Sequence, residues 1–173
     1  MPEQINGLPT HVLLVHAVVV LVPLAAALLI AAALRPALRA RLGAALPALA
    51  AACALLLPLT TNAGEQLQRQ VGGGPLVEAH VRLADGLLPW TLGVLALSLV
   101  VWWRGRQVAA PMVTGPREPV GLAGSAGSAR SSLLVPLALA GLSLAGAVGS
   151  VVQVVRIGES GSRAAWSGVT VRT

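Results

Sequence analysis

Residues 12–34 read VLLVHAVVVLVPLAAALLIAAAL, an apolar run interrupted only by His16 and Pro23 and closed by Arg35. At the rise of an α-helix it reaches about 34 Å, enough to cross the roughly 30 Å hydrocarbon layer of a bilayer. A backbone crossing lipid must satisfy its own hydrogen bonds, so the run predicts a helix. Working outward, three further runs have the same character, at about 43–62, 84–103 and 133–155. The fold class is therefore all-α, a polytopic four-helix membrane bundle, and the chain reads as a single domain over 1–173.

Composition agrees. The 173 residues are 55% apolar and only 10% charged, too few charges to coat a soluble domain, which carries roughly 25%. The net charge of +6 is not a nucleic-acid signature. The arginines sit in short connections, with no basic stripe and no interleaved aromatics. Cys53 lies alone in an apolar run and reads as a small buried hydrophobe. The start, Met1-Pro2-Glu3, lacks the basic residues of a signal peptide, so the first run is expected to be retained as a span.

Arginine placement predicts the topology. Arg35, Arg39 and Arg41 follow span one, and Arg104, Arg106, Arg117 and Arg130 follow span three, against Glu118 alone. The connection between spans two and three holds Glu65, Glu78 and Asp85 against Arg69 and Arg82. Positive loops stay in the cytoplasm, so both termini are expected outside. Residues 104–132, rich in Gly and Ser towards the end, then form a flexible cytoplasmic linker. Trp102 and Trp103 suit its membrane interface. Arg-rich, Lys-free, Ala- and Val-rich usage suits a bacterial plasma-membrane protein.

Pro23 is expected to bend span one. Gly141, Ala145 and Gly149 recur every four residues on span four and offer a small-residue face, either for packing within the bundle or for a homo-oligomer. Between spans two and three, Glu65 and Arg69 are spaced as a helical pair, Gly72-Gly73-Gly74 break the helix, and Pro75 suits a first turn. One helix to about Val71 and another from Pro75 through Trp103 would make an antiparallel hairpin above the outer surface. On the second arm Glu78, Arg82 and Asp85 share one face, while His80 falls with Leu83, Ala84 and Leu87.

Counting about 20 residues outward from each cytoplasmic arginine puts His16 at the outer edge of the hydrocarbon. His11, His80 and Glu65 then lie about 7, 6 and 4 Å above it. Arg156, which closes span four, shares that layer. Ionisable groups at membrane depth are costly and usually functional. Two chemistries fit. One is a b-type haem held by His80 with His16, or with His11 in its place, and Arg82 or Arg156 meeting the propionates. The other is a divalent metal held by two or three of His11, His16 and His80 with Glu65, which otherwise serves as the acceptor orienting an imidazole. A third reading leaves the histidines at the interface, bonded to backbone or lipid headgroups. No nucleophile with a base beside it, phosphate loop or carboxylate pair marks an enzyme, and few polar groups lie at the midplane where a transporter needs them.

The opening Gly7-Leu8-Pro9-Thr10-His11-Val12-Leu13-Leu14-Val15-His16, with Glu65 and His80, resembles the bacterial membrane proteins grouped as domain of unknown function 2231. The tail Arg156-Ile157-Gly158-Glu159-Ser160-Gly161 through Trp166-Ser167-Gly168 is similar to that family's glycine-rich ending. The resemblance spans nearly the whole chain. It implies a four-helix membrane domain with histidines at one end. Some relatives are fused to Rieske-type iron–sulfur domains, implying redox membrane proteins of a respiratory chain as partners. The family's further histidine in the tail has no counterpart here. The resulting expectation is a haem- or metal-binding electron-transfer subunit without an activity of its own. The alternative is a structural or accessory subunit with no cofactor.

Overall fold

The computed structural model describes residues 4–109 and 126–167. A two-residue hairpin opens it, β1 (Gln4–Ile5) and β2 (Leu8–Pro9), joined by Asn6-Gly7 with φ of 52° and 78°. Asn-Gly is the pair that tolerates two consecutive positive φ values. The helices are α1 (Thr10–Leu34), α2 (Pro36–Leu42), α3 (Ala45–Val71), α4 (Pro75–Asp85), α5 (Leu87–Ala109) and α6 (Ala126–Trp166).

Four helical segments among the described residues are long and apolar enough to cross a membrane: α1, α3, α4 with α5, and α6. They pack as a ring in which α1 touches α3 and α6, and α5 closes the opposite side against both. α1 continues unbroken through Pro23. It stops at Arg35, which is forced extended (φ −122°, ψ 101°) because the ring of Pro36 disfavours the helical region for its predecessor. Pro36 then opens α2. Gly72, at φ 85°, ends α3.

Each packed seam keeps a four-three rhythm. Among the buried positions, those that repeat are Val18, Val22, Ala25, Leu29 and Ala32 on α1; Leu46, Ala50, Cys53, Leu57 and Thr60 on α3; Leu87, Thr91, Val94, Ser98 and Val101 on α5; and Ser143, Ala147, Ser150 and Val154 on α6. This is the repeat of left-handed helix packing, with small residues where lipid helices approach closely. Cys53 is a core hydrophobe, 1% exposed. Thr91, Ser98 and Ser150 donate to the carbonyls four residues back, at 3.1, 2.7 and 2.7 Å, so their hydroxyls reach lipid depth already satisfied.

Three expectations need adjusting. The arm from Pro75 is not one helix, because it breaks at Gly86. Pro89 has no N–H to give the carbonyl of Asp85, so the ladder fails there. Second, α4 leans chiefly on α6 and barely touches α3. Third, α5 runs on to Ala109 and α6 begins at Ala126, inside the stretch read as linker, while 110–125 lie outside the described residues.

The break at Gly86 is filled from α6. Gln153 Nε2 donates to the carbonyl of Leu83 at 2.6 Å, and a Cβ at Gly86 would come within 2.8 Å of the same nitrogen. Gln153→Leu keeps the volume but leaves that carbonyl without its donor, an expected loss of about 1 kcal/mol. Thermal unfolding in detergent measures it; an unchanged midpoint would show that the carbonyl finds another partner.

Candidate functional site

The seam of α1, extended towards its start by the same spacing, passes through Val15 and His11 and misses His16. His11 accordingly turns inward. Its Nδ1 lies 3.0 Å from the carbonyl oxygen of Thr60 on α3. A carbonyl only accepts, so Nδ1 carries a proton, and in the neutral ring Nε2 keeps its lone pair. The ring rests on Gly64, where a Cβ would stand 3.0 Å from it. Gly64 continues the α3 seam, so glycine there is a matter of room for an imidazole.

His80 repeats the device on α4. Its Nδ1 lies 3.0 Å from Ser160 Oγ, and that hydroxyl donates its own proton to the carbonyl of Ile157 at 2.9 Å. Ser160 is therefore the acceptor, Nδ1 again holds the proton, and Nε2 again keeps a lone pair. This ring rests on Gly161, whose Cβ would stand 3.1 Å away. Neither Nε2 has a partner among the described residues.

Both imidazoles line two adjoining spaces. A small cavity of about 60 Å³ lies among Val15, Val18, Leu57, Ala84 and Val154, and above it opens a cleft of about 720 Å³. The cleft is walled by the end of α3, by Gly72, Gly73 and Gly74, by α4, and by the end of α6. Its volume falls within the range of about 300–1,000 Å³ usual for ligand sites.

The other expected site residues are placed differently. His16 is exposed, bonds the carbonyl of Val12 one turn back and lines neither space. Five residues from His11, it projects to another side of α1. Glu65 lines the cleft but bonds neither histidine; it sits 3.8 Å from Arg69 in an exposed pair that adds little stability. The acceptors that orient the imidazoles are Thr60 and Ser160 instead. Sequence reasoning missed both, because a carbonyl and a helical serine carry no motif. Arg82 and Arg156 are exposed and line neither space, so neither is placed to meet propionates there. Among the described residues no three of His, Cys, Asp and Glu gather to hold a metal ion, so the four-residue metal set does not assemble.

The small-residue face of α6 also divides. The Trp90 ring lies on Gly149, while Gly141 and Ala145 are exposed and the seam runs through Ser143 and Ala147. Comparison with protein-family models, with curated proteins and with solved structures finds no match to this chain.

Proposed function

We propose that this chain is a small multi-pass protein of a bacterial plasma membrane, with both termini outside, that holds a b-type haem between His11 and His80. It would serve as an electron-transfer subunit beside respiratory or other redox membrane proteins. One observation carries the reading: two imidazoles from different helices, each fixed through Nδ1 and with no partner at Nε2 among the described residues, line one cleft. Two protein nitrogens suit a haem iron, whose remaining ligands come from the macrocycle. A bare divalent ion asks for three or four protein ligands.

When bound, such a group supplies reversible one-electron chemistry. The chain's own part is positional. Thr60 and Ser160 hold the tautomer and ring orientation that keep Nε2 available. Gly64 and Gly161 let the rings lie against helix backbones. Val12, Leu76, Val77 and Val81 give the cleft apolar walls. The proposed topology rests on the arginines at the far end of the bundle, and places α4 and the end of α3 above the outer surface. The resemblance to the domain 2231 family adds the respiratory setting.

A reduced-minus-oxidised absorption spectrum of detergent-purified protein, with a metal assay on the same sample, tests this. Sharp haem bands with stoichiometric iron are expected, and His80→Ala should remove them while unfolding stays cooperative. A flat spectrum from folded, iron-free protein would overturn it. The second reading, an accessory subunit without cofactor, draws on exposed Gly141 and Ala145, which leave α6 open to another helix or a second copy.

A further inference from the structure

The end of the bundle away from the histidines gathers arginines from two helices. Arg39 on α2 lays its side chain across Gly105 of α5, with Cγ, Cδ and Nε each 3.3 Å from where a Cβ would be. Gly105 is flanked in sequence by Arg104 and Arg106, so Arg39 packs onto the stretch of α5 that carries two more arginines. Arg106 is fixed in turn, its guanidinium 5.1 Å from the centre of the Trp102 ring. None of the three has an acidic partner among the described residues. The described acids, Glu65, Glu78, Asp85 and Glu159, all belong to the histidine end.

Like charges brought together by packing raise the energy of the folded state unless an anion lies between them. Guanidinium groups match a phosphate's oxygens in fork geometry. The cluster begins where the apolar spans end, beside Trp102 and Trp103, at the depth where headgroup phosphates lie. We propose that Arg39, Arg104 and Arg106 form a binding site for the phosphate of an anionic phospholipid, held in the angle between α2 and α5. This site is separate from the histidine cleft and stands whether or not a haem is bound there.

The test is a titration of the detergent-purified full chain with short-chain phosphatidylglycerol, phosphatidylcholine of equal chain length, and inorganic phosphate, followed by thermal unfolding. Phosphatidylglycerol should raise the midpoint saturably and the other two should not. Arg39→Gln and Arg106→Gln should each weaken the apparent affinity about fivefold. Arg163→Gln, at the other end, should leave it unchanged. Arg106 is exposed, so its variant keeps the test valid should Arg39→Gln fail to fold. Equal shifts with phosphatidylcholine, an equal shift with inorganic phosphate, or undiminished affinity in Arg106→Gln would each overturn the proposal.

Discussion

Gly149→Val is expected to lower the unfolding midpoint more than any other single change considered for the bundle. A side chain at this position would overlap the Trp90 ring, which lies directly on the glycine backbone. Trp90 cannot step aside without cost: it is half-exposed, but its neighbour Thr91 is 1% exposed on the α5 seam. Forcing bulk into packed helices costs about 1–3 kcal/mol, and here the obstacle is a rigid ring. The check is a double-mutant cycle on thermal unfolding in detergent. Trp90→Leu should be milder alone and should recover most of the loss caused by Gly149→Val. Purely additive effects would show that the two residues do not oppose one another.

The histidines give the other large effect, and it is a contrast. If the cleft holds a haem, His11→Ala should abolish the absorption bands as completely as His80→Ala does, and His16→Ala should leave them intact. His11 and His80 line the cleft with Nε2 free, whereas His16 bonds its own helix at Val12 and is exposed. Ser160→Ala, which removes the acceptor from His80 Nδ1, should shift the bands or the midpoint potential without emptying the site. Bands lost in His16→Ala and kept in His11→Ala would mean that α1 is rotated relative to this arrangement.

Glycines show how near the sequence came. Gly64, Gly161 and Gly105 each continue a seam, and each takes a ring or guanidinium from a neighbouring helix: His11, His80 and Arg39. In the sequence they were indistinguishable from Gly141, which faces outward. Height was legible, because counting residues from the arginines measures distance along a helix, and it set His11, Glu65 and His80 at one level. Direction was not. Ser160 as a partner for His80 spans 80 residues and no local pattern announces it.

What the sequence by itself determined is the number of helices long and apolar enough to cross a membrane. A bilayer imposes a length, an arginine closes spans one, three and four, and Gly72 and Pro75 mark a turn by backbone sterics alone. What only the tertiary structure decided is which side of each helix faces its neighbours. In a soluble bundle an apolar stripe would have answered that, since water rejects it. Here the surroundings are as apolar as the core, so Val18 in the seam and Val20 outside it are the same residue to any periodicity. Packing against α3 and α6 decided the seam of α1, and that choice turned His11 inward and left His16 outside.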